Sequence, residues 1–196
     1  GAISLIVTGA VSAQEYTARL SVHWGPTHHS AIHAKMFADE VNKRADGRLR
    51  IDYFPSGQLF GVREQLGAVT SGAIEMGGIV GVVSFPPINK NFNVVSITGM
   101  FDSYGEQRAF FQDDPTGKAV WDDITKKSDS VLLMYDPVGP VMTFSTQELN
   151  GVKSMSGLKA RALIGAERPM WEALGANTVS MPTGEVYSGL QTGMID

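Results

Sequence analysis

Three histidines, His28, His29 and His33, stand close together, and His29 and His33 lie at i, i+4, a spacing that puts two imidazoles on one helix face, as in zinc-binding pairs. Metalloprotease chemistry also needs a Glu directly after the first histidine as its base, and Ser30 stands there instead. The cluster therefore reads as solvated or helix-capping, with metal binding as the alternative, and no metal site is assigned. All 4 histidines fall between His23 and His33 and no Gly-x-Ser-x-Gly occurs, so no serine triad is legible. The run Gly77-Gly78-Ile79-Val80-Gly81 matches neither a dinucleotide fingerprint nor a Walker loop and lacks the lysine. No carboxylate pair suggests acid/base work, so the expectation is a non-enzyme without a cofactor. Arg161 is more informative. In Gly157-Leu158-Lys159-Ala160-Arg161-Ala162 it shares a strand face with Lys159, opposite Ala160 and Ala162. A planar fork of donors at a strand end suits a carboxylate, held by two parallel hydrogen bonds. A surface arginine on an edge strand is the alternative.

The elements that must position these residues alternate. Ala18, Leu20, Val22 and Trp24 alternate with Arg19, Ser21 and His23, the period of a strand. A helix follows, with Thr27 or Ser30 as its cap, Ile32, Met36, Phe37 and Val41 as its apolar stripe, and Gly47 as its terminator. Leu49, Ile51 and Tyr53 form a second strand, stopped by Pro55-Ser56-Gly57, which completes a β-α-β unit and predicts a parallel sheet. Beyond it the patterns predict a helix with Val62, Leu66 and Val69 and a strand at Ala73 to Met76. Helices are expected from about Ser103 and over Pro115 to Lys127, and a strand at Leu132 to Tyr135. After a Pro137-Val138-Gly139-Pro140 break come a strand at Lys159 to Leu163, a helix with Met170, Trp171 and Leu174, a strand at Asn177 to Met181, and a helix with Val186 and Leu190. The stretches ending in Gly72-Ala73-Ile74-Glu75 and Gly193-Met194-Ile195-Asp196 look like versions of one module, suggesting two related α/β halves.

Composition narrows the function. The chain has 196 residues, 43% hydrophobic and 18% charged, the balance of an ordinary globular protein. Its 16 basic and 20 acidic residues give a net charge of -4, which argues against nucleic acid as a partner. With no cysteine, disulfides, thiolate chemistry and Cys-based zinc sites are excluded. The apolar run at residues 2 to 11, followed by Val11-Ser12-Ala13, reads as the back half of a secretory signal, so 1–13 is expected to be a signal remnant. The expected domains are 17–138 and 139–196, the second cut short, and no stretch reaches membrane-spanning length.

In order along the chain, Phe54-Pro55-Ser56-Gly57-Gln58-Leu59, Arg63-Glu64, Gly72-Ala73-Ile74-Glu75-Met76, Gly157-Leu158-Lys159-Ala160-Arg161, Trp171-Glu172-Ala173-Leu174-Gly175-Ala176, and Met181-Pro182 with Glu185 to Asp196 resemble the DctP-like solute-binding proteins of TRAP transporters. The resemblance implies a periplasmic, two-domain α/β clamshell with mostly parallel sheets. Such a receptor captures a small organic acid between its domains and delivers it to TRAP membrane permease subunits driven by an ion gradient. It implies Arg161 as the anchor of the ligand carboxylate, with Trp24, Val80 and Gly81 as neighbours whose family counterparts face the cleft. Trp24 also suits core packing. Many members carry a second arginine entering domain two, where Val138 to Phe144 holds none, and sialic-acid-type members place an acid where Val80 stands. The smaller charge count favours a monocarboxylate. A periplasmic ligand-sensing subunit of a signalling system is the alternative with the same fold.

Overall fold

The computed structural model describes residues 16–97, 99–136, 142–162 and 167–196, with Thr183 described by its backbone. The expected signal segment at 1–13, the Pro137-Val138-Gly139-Pro140 break and the last residue of the strand expected to reach Leu163 lie outside them. The architecture is α/β, with one three-stranded and one two-stranded parallel sheet among the described residues.

The first sheet is built by β1 (Tyr16–Ser21), α1 (His29–Arg44) and β2 (Leu49–Phe54), the expected β-α-β unit. β1 and β2 run parallel from Tyr16 opposite Leu49 to Ser21 opposite Phe54. After α2 (Gln65–Thr70), β3 (Met76–Gly77) joins the other side of β1, so the order is β2-β1-β3. The strand alternation holds. Leu20, Val22 and Ile51 are buried against α1, with Ala18 and Trp24 packed around them. The helix stripe, however, is rotated from the expected one. Ala31, Ala34 and Ala38 face the sheet with Phe37 and Val41 beside them, while Ile32 and Met36 are exposed. Alanines let a helix approach a sheet closely, and two side chains of β2 and α1 bridge the narrow gap. The Asn42 amide accepts from Ile51 N at 2.6 Å and donates to Ile51 O at 3.0 Å, and Tyr53 Oη donates to Ala31 O at 2.9 Å. The cap of α1 also differs from both candidates: His28 occupies it, its Nδ1 accepting from Ser30 N at 3.2 Å.

Two helices and a 3₁₀ turn form the next cluster. α3 (Gly81–Ser84) and the 3₁₀ turn Lys90–Ser96 lead to α4 (Tyr104–Gln112) and α5 (Pro115–Lys127), both helices where the sequence places them. Ser103 caps α4 through Oγ, which accepts from Glu106 N at 3.1 Å, and Glu106 reaches back to Asp102 N at 2.8 Å, a variant of the capping box. Phe92, Phe111, Val120 and Ile124 are buried between them, with Phe85 and Trp121 around the rim. The second sheet follows: β4 (Lys159–Arg161), α6 (Glu167–Ala173), β5 (Asn177–Val179) and α7 (Val186–Gln191). β4 and β5 pair in parallel, Lys159 opposite Asn177 and Arg161 opposite Val179. Leu158, Ala160 and Ala176 are its buried residues, with Trp171 packed against them.

Two expected strands are altered. Residues 132–135 form none, because no described segment offers them a ladder, and Val131 to Met134 are exposed. The strand expected at 73–76 is reduced to Met76–Gly77, because Ile74 N turns back to Ala68 O at 3.2 Å and closes α2 over Gly72 at φ 72°. The same closure recurs after α7, with Gly193 at φ 67° and Ile195 N on Gly189 O at 3.3 Å. Ile74 and Ile195 are both buried, so the suspected module is a shared local structure. The described residues group into two compact units, 16–80 with 128–136 and 81–127 with 142–196. The expected boundary between 138 and 139 lies outside the described residues.

Candidate functional site

Arg161 ends β4. Its neighbours Ala160 and Ala162 are buried while Lys159 and Arg161 are partly exposed, so the two cations share the open face as the alternation requires. Arg161 Nε donates to Met181 O at 3.1 Å, just past the end of β5. This bond ties the guanidinium to the backbone beyond β5 and leaves its orientation restrained relative to the second sheet.

In the first unit, Trp24 follows β1 and is half-buried against the core of β1, β2 and α1. Its carbonyl accepts from Ser56 N at 2.9 Å, and a Cβ on Gly78 would lie 2.9 Å from Trp24 Cζ3 and 2.8 Å from Val22 Cγ1. Glycine at 78 thus lets the end of β3 close under the indole. Val80 ends this segment, half-buried. Gly81, the first residue of α3, belongs to the second unit, where a Cβ would lie 2.9 Å from Phe92 Cζ and 3.1 Å from Phe85 Cδ2. Gly81 is therefore required by aromatic packing, whatever else it does. Trp24 and Val80 stand in one unit, Gly81 and Arg161 in the other.

The histidines form a ring ladder. His23 lies 4.1 Å from Trp24, Trp24 5.6 Å from His28, His28 4.4 Å from His29 and His29 5.9 Å from His33, centroid to centroid. Its far end is Asp136, whose Oδ1 is 2.7 Å from His33 Nδ1. That partner is remote in sequence, and no local pattern could have revealed it. Among the described residues no group of three or more His, Cys, Asp or Glu is arranged to hold a metal. Burial, and then the neighbouring His28, depress the pKa of His23; burial, and then His29, depress that of His28, against a smaller opposing pull from Asp136. A histidine depressed in the fold contributes stability that is present above its unfolded pKa, about 6.5, and is lost as pH falls below it. Protonating Nδ1 of His28 also removes the acceptor that caps α1. Stability measured by denaturant at pH 8 and pH 5 is expected to drop in acid, and less so in His28→Asn, which keeps a capping acceptor without the titration. Equal drops in both proteins would exclude His28 as a source.

The family model for "Bacterial extracellular solute-binding protein, family 7" (DctP) matches residues 20–196. The chain belongs to this family. Family 7 is a family of substrate-binding receptors. Among its curated relatives, the 2,3-diketo-L-gulonate-binding periplasmic protein YiaO of Escherichia coli is 26% identical over 193 residues, 96% of this chain and 57% of YiaO. The C4-dicarboxylate-binding periplasmic protein DctP of Rhodobacter capsulatus is 26% identical over 200 residues, covering 100% of this chain and 58% of DctP. A TRAP periplasmic solute binding protein from Sulfitobacter sp. NAS-14.1, solved with bound β-D-galacturonate, superposes with a TM-score of 0.78 at 21% identity, over 92% of this chain and 60% of that one. This family-7 chain thus has the fold of TRAP periplasmic binding proteins over the 92% that superposes, and spans less than two thirds of their length. No helix among its described residues is long and apolar enough to cross a membrane.

Proposed function

We propose that this family-7 protein is a non-enzymatic, periplasmic receptor that captures a small organic carboxylate and hands it to TRAP membrane permease subunits. The observation that carries the reading is Arg161, set at the end of β4 with its Nε braced by the Met181 carbonyl. In this reading Arg161 grips the ligand carboxylate, while Trp24, Val80 and Gly81 contribute walls. Relatives named for their ligands bind acids, among them 2,3-diketo-L-gulonate and C4-dicarboxylates.

The preference within that class is for one carboxylate. Residues 138 to 145 hold no arginine, and a second buried carboxylate without a cation loses its hydration uncompensated. Calorimetry of the full protein with β-D-galacturonate, 2,3-diketo-L-gulonate and succinate tests both levels. Binding of the first two above succinate is expected. Tighter binding of succinate would overturn the charge count, and failure of all three would count against the receptor reading itself.

A further inference from the structure

We propose that Asp196 is a positioning residue, which fixes the start of β4 and thereby sets the pose of Arg161 at its end. The proposal rests on the reading of Arg161 above and deepens it.

Asp196 holds the backbone of Lys159 through both its N–H and its C=O. Its Oδ2 accepts from Lys159 N at 2.8 Å, and its own N donates to Lys159 O at 3.0 Å. The Lys159 ammonium lies 3.5 Å from Asp196 Oδ1 and also donates to the carbonyl of Gly193. Main chain and side chain of one residue are therefore gripped by the turn that closes α7. Lys159 and Arg161 are one pleat apart on the same strand face, so fixing the first along the strand fixes the second. The grip also sorts the two cations. Lys159 is engaged by Asp196 and Gly193, and Arg161 is braced by Met181, so the two do not compete for one anion.

The first unit contains the same device with different residues. After Gly72 and buried Ile74, Glu75 Oε2 accepts from Arg19 N at 2.7 Å, and its carboxylate takes Arg19 Nε at 3.0 Å and Nη2 at 2.7 Å. Arg19 lies in β1, the strand that leads to Trp24, as Lys159 lies in the strand that ends on Arg161. Glu on Arg in one unit and Asp on Lys in the other preserve the geometry, not the residue types. Both carboxylates are held below their ordinary pKa by these bonds. The Arg19 side-chain bonds, and next its backbone N–H, hold Glu75 at about 2, and the backbone N–H of Lys159 is the largest of the causes that depress Asp196.

Asp196→Asn, Asp196→Glu and Lys159→Met, made in the full protein, test this by two measurements. One is the nitrogen resonance of Arg161 Nε with no acid added; the other is calorimetric affinity for β-D-galacturonate, 2,3-diketo-L-gulonate and succinate. Asp196→Asn is expected to move the Arg161 resonance and to weaken whichever of the three acids binds the wild type by about tenfold or more, the scale of one charge-assisted hydrogen bond weakened behind the anchor. Asp196→Glu is expected to restore most of both, since it keeps the charge. An unmoved Arg161 resonance in Asp196→Asn overturns the positioning role. If Asp196→Asn does not fold, an unmoved resonance in Lys159→Met, which removes the ammonium held by Asp196 Oδ1, overturns it instead. If none of the three acids binds the wild type, the receptor reading fails, and the resonance still decides the role of Asp196.

Discussion

Replacing Arg161 by methionine is expected to weaken carboxylate binding by roughly two to three and a half orders of magnitude, because removing one member of a shielded, hydrogen-bonded charge pair costs about 3 to 5 kcal/mol. Much of that cost is the penalty on the carboxylate left behind, out of water and without its donors. Methionine keeps an unbranched apolar stem at the position, so the loss is of charge and donors more than of bulk. Arg161→Lys is expected to recover only part of the affinity. A lysine ammonium is a point charge, and it cannot both donate to the Met181 carbonyl as Nε does and offer a parallel pair of donors to a carboxylate. Calorimetry on the two variants and the wild type, with the acids named above, checks the ordering wild type, Lys, Met. Unchanged affinity in Arg161→Met would remove this residue from the site.

The parts of this fold that were legible in the sequence are those specified by local period and local geometry. β1 and β2 alternate cleanly, Ser103 and Pro115 mark helix starts, and Gly72, Gly175 and Gly193 mark helix ends by a left-handed conformation that glycine adopts without steric strain. What the sequence concealed was set by tertiary context. The sheet chose the alanine face of α1 over the more apolar Ile32 and Met36, because depth of approach mattered more than side-chain hydrophobicity. Leu132 to Tyr135 has strand composition, but a strand exists only where a partner supplies the ladder. At the site, Arg161 was legible because period two predicts its face, whereas its brace on Met181 is an interaction 20 residues away that no pattern encodes. Glu75 and Asp196 were visible as a repeated glycine, isoleucine and acid, but their role depended on which backbone N–H each carboxylate reached. The His28 cap was hidden by its own residue type, since serine and threonine stood close by and are the usual choices.

The second large effect is expected at Gly117, in the first turns of α5. Alanine normally favours a helix over glycine by about 0.8–1.0 kcal/mol, so propensity alone would make Gly117→Ala stabilising. Packing against α4 reverses the sign. A Cβ at 117 would lie 2.0 Å from Phe110 O and 2.6 Å from Phe110 C, both backbone atoms, and 3.0 Å from the Phe110 ring. Backbone cannot rotate away as a side-chain tip can, so α4 and α5 would have to part. The connection between them is too short to absorb this, because Asp113 N returns to Ala109 O at 2.7 Å and Asp114 Oδ1 already caps α5 through Thr116 N at 2.7 Å. Parting the helices would also open the cluster of Phe92, Phe111, Val120 and Ile124. Overpacking of this kind costs about 1–3 kcal/mol and occasionally more, and a clash with fixed backbone belongs at the top of that range. Gly117→Ala is therefore expected to lower stability by about 2–3 kcal/mol net, measured by urea unfolding. Gly67→Ala is the matched control: Gly67 lies inside α2 with nothing within 4 Å of a Cβ, and there the propensity gain stands unopposed. A loss at 117 with a gain of up to about 1 kcal/mol at 67 separates packing from propensity, and a stabilised Gly117→Ala would show that α4 and α5 are not held at this distance.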